Sequence, residues 1–348
     1  MSTQSAAVVG NAQFRYKAHE DWTQLPPGWS FGEVAGVATD SRDRVFVYSR
    51  SEHPLTVFDR DGKFIGSWGE GQMVRPHGIH IGPDDAVYVT DDRDHSVRKF
   101  SPDGKLLLTL GTRGVASDTG CEGNDYRTIQ RAAGPFNQPT NVALARDGSI
   151  YVTDGYGNAR VHQFSSDGRL IRSWGEPGAG PGQFHLPHGV AVDRDGRVYV
   201  ADRENSRVQI FTVDGKFITE WRAVSRPTEV FIAARSGDDD LVFISEIGYR
   251  CGLFPGMTAP PNPPGSCVGI WTRDGKLLCR WGGGADPCAT GDFFAAHDIW
   301  VDSRGDIYVS EVTLSARGNR GLVSPRCHTL QKFVRQSDET NPEAVANA

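Results

Sequence analysis

The sequence contains no run of about 18 consecutive apolar residues, which excludes a membrane-spanning helix. Its opening residues, MSTQSAAVVGNAQFRYKAHEDW, lack a basic segment followed by a sustained apolar stretch. No secretory signal is read there, and the cytoplasm is the expected compartment. No basic stripe stands out and the net charge is −6, which argues against a nucleic-acid surface. The six cysteines, Cys121, Cys251, Cys267, Cys279, Cys288 and Cys327, include no CxxC pair and no zinc-finger spacing. In a reducing compartment they are expected as free thiols. Cys251 and Cys267 bracket the proline-rich segment GLFPGMTAPPNPPGS and would staple that loop only in an exported protein.

What is present is glycine and proline, 41 and 20 residues of 348, a composition that suits many short strands joined by turns. The strands come as repeats. Three stretches show it best: RPHGIHIGPDDAVYVTDDRDHSVRKFSPDGKLLLTLG, QPTNVALARDGSIYVTDGYGNARVHQFSSDGRLIRSWG and LPHGVAVDRDGRVYVADRENSRVQIFTVDGKFITEW. Each reads as a short apolar strand, a turn, a V-Y-V strand, a polar loop, a strand ending in Phe, an Asp-Gly turn and a final strand. Asp-Gly between such runs favours a tight hairpin because glycine reaches positive φ without steric cost.

Weaker copies extend the series both ways, from AGVATDSRDRVFVYSR upstream to AHDIWVDSRGDIYVSE downstream. The last copy has three strands, and a closed ring leaves no exposed edge, so FRYKA at residues 14–18 is expected to supply the missing outer strand. The predicted fold is an all-β, six-bladed β-propeller of NHL-type repeats over residues 13–335. Residues 1–12 and 336–348 are expected to be flexible tails.

The first strand of each blade lines the central channel. Aligning the copies puts His77 of RPHGI, His188 of LPHGV and His297 of AAHDI at one register, with Ala35, Thr140 and Thr228 there on the intervening blades. Alternate blades of a six-fold ring are related by about 120°, so three imidazoles converge on the axis. Three histidines with an open fourth position suit zinc, iron or manganese. Asp298 follows His297 where glycine follows the other two. With the backbone carbonyls of Val37 and Ile79 it could form an oxygen-rich calcium site, or it could orient His297. Arg50, Tyr156 and Arg203 lie on loops after second strands and would face one mouth of the channel; the sequence does not say which. An arginine suits a substrate carboxylate, and a tyrosine near a metal suits proton transfer.

The motifs DGYGNAR, PGQF-x-x-PHG and ADREN-x-R, within Phe136 to Phe211, resemble the lyase half of peptidylglycine α-amidating enzymes. The likeness extends more thinly over residues 30–335. It implies a six-bladed propeller that cleaves an α-hydroxyglycine carbinolamide into an amide and glyoxylate with the help of zinc. By the resemblance, His77, His188 and His297 take the zinc-ligand positions, Tyr156 the catalytic tyrosine's, and Arg50 that of an active-site arginine. Arg203 falls in a matching motif and helps bind substrate; Val37, Ile79 and Asp298 fall on structural-calcium positions. The family's two disulfides have no counterpart, since Asn137, Gly157, Val198 and Ile210 stand there. The expected partner is thus a small-molecule substrate, with neither nucleic acid nor membrane. Two other functions fit the repeats: a calcium-dependent lactonase-type hydrolase using Asn141, Glu229 and Asp298, or a non-catalytic NHL scaffold.

Overall fold

The computed structural model describes residues 7–123, 125–234, 240–254 and 257–336. Six antiparallel sheets follow one another around a ring, as the repeats predict. Blades 1 to 5 begin with Val34–Thr39, Pro76–Ile81, Pro139–Leu144, Pro187–Val192 and Pro227–Ala233, and each runs outward through four strands. Blade 6 takes Ala296–Val301, Ile307–Glu311 and Leu330–Arg335 from the end of the chain and Arg15–His19 from its start. Tyr16 pairs with Arg335 and Ala18 with Phe333, so the ring is closed by hydrogen bonds between the two ends of the chain.

Part of the expected N-terminal tail is ordered. Val8–Gly10 forms a fifth strand on blade 6, with Val9 opposite Tyr16, because the outer edge of Arg15–His19 offers unpaired backbone groups. Residues 1–6 and 337–348 of the expected tails lie outside the described residues.

The second strands, such as Val87–Asp91 and Val198–Asp202, are buried on both faces, since each blade packs between two others. The cores therefore sit between blades: Phe46, Tyr48 and Val57 of blade 1 meet Ile79, Val87 and Phe100 of blade 2. Three of the outer seams follow one rule. The tryptophan ending a blade lies on the Asp-Gly hairpin of the next, Trp68 on Gly104, Trp174 on Gly215 and Trp221 on Gly275, where a Cβ would fall 2.5–2.8 Å from the indole. These glycines have φ of 80–88°, so both the turn and the indole require them.

Candidate metal centre

Every blade's first strand carries a register shift at one point: Val34/Gly36, Pro76/Ile79, Pro139/Asn141, Pro187/Gly189, Pro227/Glu229 and Ala296/Asp298. A bulge leaves a residue outside the ladder and re-aims its side chain. The residues so placed are Ala35, His77, Thr140, His188, Thr228 and His297. Their backbone carbonyls are released as well, and these hold the histidines. His77 Nδ1 lies 2.6 Å from the Thr140 carbonyl, His188 Nδ1 2.7 Å from that of Thr228, and His297 Nδ1 2.6 Å from that of Ala35. Each imidazole is thus fixed by the blade after its own.

The rings meet on the axis with centroids 4.7–4.8 Å apart, and their ligand atoms lie within 4.8 Å of one another. All three are buried. Burial holds them well below the usual histidine range, with added repulsion from neighbouring histidines and from Arg50 and Arg203. Neutral rings that donate through Nδ1 present the Nε2 lone pair inward, the form a metal needs. His297 Nε2 is buried with no hydrogen-bond partner among the described residues. A buried orphan acceptor beside two more imidazoles is costly as it stands and fits a divalent cation.

The structure answers which mouth the loops face. Arg50, Tyr156 and Arg203 line, with His297, a cavity of about 180 Å³. The Tyr156 hydroxyl lies 3.1 Å from His77 Nε2 and 3.3 Å from His188 Nε2, and Arg203 Nη1 donates to it at 3.3 Å. The Arg203 guanidinium also stacks on the Tyr156 and Phe254 rings, 5.4 Å from each centroid. Arg50 donates to the Pro76 carbonyl (3.0 Å) and to Ser315 Oγ (2.8 Å) and pairs with Glu33. The proline-rich insertion closes one wall through Ile247, Gly252, Leu253 and Phe254.

Sequence reasoning missed three further arginines of this cavity, Arg75, Arg226 and Arg317. The first two were within reach, since RPHGI and RPTEV place them at one register, just before the proline that opens a blade. Nothing in the repeat marks Arg317.

Asp298 does not orient His297; the Ala35 carbonyl does. The Asp298 carboxylate instead accepts from the Val37 amide at 3.2 Å and the Ile299 amide at 2.7 Å, which ties it to blade 1. Burial pushes it up to about 8. Its neighbour Glu229, bonded to the Asn141 side-chain amide, is raised well above the usual range by burial and by Asp298. Two buried carboxylates thus share the channel one step below the histidines, with no ion-pair partner among the described residues.

The cysteines depart from expectation. Cys288 and Cys327, 39 residues apart, form a disulfide with Cα atoms 4.9 Å apart, because the loops before and after the first two strands of blade 6 meet beside Phe294 and Ala316. Cys251 and Cys267 are buried and free, as are Cys279 and the half-buried Cys121. At two of the positions where the resembling family has disulfide cysteines, Gly157 N–H donates to the Asn137 carbonyl at 3.0 Å, and Asn137 Nδ2 donates to Ser117 O and Thr119 Oγ1.

The NHL repeat model matches residues 136–164 and 184–211, which cover the motifs around Tyr156, His188 and Arg203. The "Peptidyl-alpha-hydroxyglycine alpha-amidating lyase 1" of Drosophila melanogaster is 34% identical over 303 residues, 81% of this chain and 52% of the fly protein. This chain carries NHL repeats and is similar to the amidating lyases. The mouse "Peptidyl-glycine alpha-amidating monooxygenase" is 34% identical over 234 residues, 58% of this chain and 23% of the relative. The chain thus spans about half of the fly lyase and about a quarter of the mouse enzyme. A gluconolactonase from Xanthomonas campestris superimposes with a TM-score of 0.59 over 96% of each chain at 14% identity, a likeness of fold alone.

Proposed function

We propose that this lyase-like propeller is a metal-dependent enzyme that splits the C–N bond of a small α-hydroxyglycine carbinolamide, giving an amide and glyoxylate. The observation that carries this reading is the trio of neutral imidazoles with Nε2 turned inward, one of them an orphan, beneath a tyrosine and two arginines. A divalent metal held by His77, His188 and His297, zinc by the family resemblance and iron or manganese on the same donor chemistry, would supply Lewis acidity toward the carbinol oxygen.

The chain's own groups do the rest. Arg50 and Arg203 hold the substrate carboxylate by charge-assisted hydrogen bonds and so fix the carbinol carbon over the histidines. Tyr156 Oη stands where, in one concerted relay, it can give its own proton to the departing nitrogen and take the carbinol proton in its place. The C–N electron pair leaves with nitrogen and the carbinol oxygen becomes the aldehyde of glyoxylate, so the reaction needs no redox partner. Leu253 and Phe254 keep water from the reacting face. A structural calcium beside Asp298, with the carbonyls of Val37 and Ile79, would relieve the mutual repulsion of Asp298 and Glu229.

Elemental analysis of the purified protein beside His77→Ala and His188→Ala tests the metal centre. About one equivalent of a transition metal in the wild type, lost in both variants, together with glyoxylate release from an N-acyl-α-hydroxyglycine, is the expected result. Metal content indifferent to both substitutions, or loaded protein that releases no glyoxylate, defeats the reading.

A further inference from the structure

The cavity above the histidines carries more positive charge than one substrate carboxylate requires. Five guanidinium groups line it, those of Arg50, Arg75, Arg203, Arg226 and Arg317. Arg50 pairs with Glu33 and Arg75 with Asp92, while Arg203 and Arg226 share the single buried carboxylate of Glu204. Arg317 pairs with no carboxylate among the described residues, and its guanidinium donates to the Leu253 carbonyl at 2.9 Å. Five cations thus face three anions, and the neutral imidazoles offset none of the excess. Two positive charges remain before any metal adds its own. An excess of charge of one sign in a walled cavity concentrates field there and favours an anion from outside.

The loop that carries Arg317 is shaped to present it. Arg317 itself has φ of 87°, a conformation a long side chain rarely adopts. Its stem crosses the insertion at Gly252, where any Cβ would overlap Arg317 Cγ. A glycine in one loop and a left-handed arginine in another together direct one guanidinium at the wall that Leu253 and Phe254 complete. The cavity, about 180 Å³, is below the roughly 300 Å³ at which ligand pockets usually begin, so the part of the molecule held beside the histidines is short.

We infer that the substrate is a small dianion, with one carboxylate next to the reacting carbon on Arg50 and Arg203 and a second carboxylate, on a short acyl chain, received by Arg317. This rests on the lyase reading for its first carboxylate and on the arginine arrangement alone for its second. An N-acyl-α-hydroxyglycine with a succinyl-length acidic acyl group has the required charges and size.

The test compares α-hydroxy-N-succinylglycine with its neutral succinamoyl analogue on metal-loaded wild type, Arg317→Ala and Arg317→Gln, the last retaining the stem and its packing on Gly252. The wild type is expected to favour the acid in kcat/KM, and in both variants that preference falls about 10- to 100-fold, the weight of a charge-assisted hydrogen bond. Equal rates for the two substrates in the wild type, or a preference untouched in both variants, overturns the inference. Calorimetric binding of glutarate against butyrate to the same proteins separates it from the lyase reading. Glutarate bound tighter than butyrate through Arg317, without turnover of either substrate, keeps the second carboxylate site and sinks the lyase. No turnover and no such preference sinks both.

Discussion

Replacing Tyr156 by phenylalanine removes one oxygen and leaves the ring in place. That oxygen lies 3.1 and 3.3 Å from the Nε2 atoms of His77 and His188 and 3.3 Å from Arg203 Nη1, all at the long end for hydrogen bonds. Because it borders a cavity where water can substitute, its loss should lower stability by no more than about 1 kcal/mol. The ring still packs against Arg203, so the arginine keeps its place. Metal content should stay at the wild-type level, since the three ligands and their carbonyl partners are untouched. If Tyr156 moves the carbinol proton, kcat for glyoxylate release falls about 10²- to 10⁴-fold, equivalent to roughly 3–5 kcal/mol of barrier. The assay is single-turnover glyoxylate release on protein whose metal has been quantified. A metal-replete Tyr156→Phe protein with kcat within about threefold of wild type refutes the assignment. Loss of metal from the variant would instead make the tyrosine a support of the centre.

Two further outcomes follow from the fold. Phe14 and Tyr16 are buried in the cluster that joins blades 5 and 6, so Phe14→Ala should cost about 3–5 kcal/mol, read as a lower denaturation midpoint; an unchanged midpoint would mean that the N-terminal strand does not close the ring. His328 is opposed in its charge by burial, but Glu311 at 3.0 Å, the Asp292 carbonyl and Glu20 at 3.1 Å outweigh this and raise it to about 9 from 6.5. The folded state holds this proton more tightly than the unfolded chain. The stabilisation is therefore complete below 6.5 and is lost as pH rises through 9, up to about 3 kcal/mol. Urea midpoints measured across that window should fall for the wild type more than for His328→Gln, and parallel curves would count against it.

The ring and its closure were legible because the repeat makes each blade an independent copy of one pattern. The shortfall of the last copy, three strands where four are needed, points at FRYKA as the closing strand. The three histidines were legible for the same reason: a register shift repeated in all six blades turns one sequence position into one level of the channel. What the repeat does not encode was not readable. Cys288 meets Cys327 through two loops whose approach depends on how blade 6 is completed. Arg317 reaches the cavity because a glycine in a different loop, 65 positions earlier, leaves it room. The orienting partner of His297 could not be told from its neighbour in sequence, since Asp298 is adjacent in the chain while Ala35 is adjacent only once the circle is complete.

The carbonyls that grip the three imidazoles belong to blades 3, 5 and 1, while the imidazoles come from blades 2, 4 and 6. A single ion on the axis would therefore be fastened, through one side chain or one peptide, to every sector of the molecule, like the hub of a wheel. One of those spokes, His297 to Ala35, crosses the seam between the last blade, which holds both ends of the chain, and the first. Were the centre filled, its occupancy and the packing of that seam would be two readings of one equilibrium: slack in the rim would turn a ligand out of line, and a filled hub would draw the rim shut.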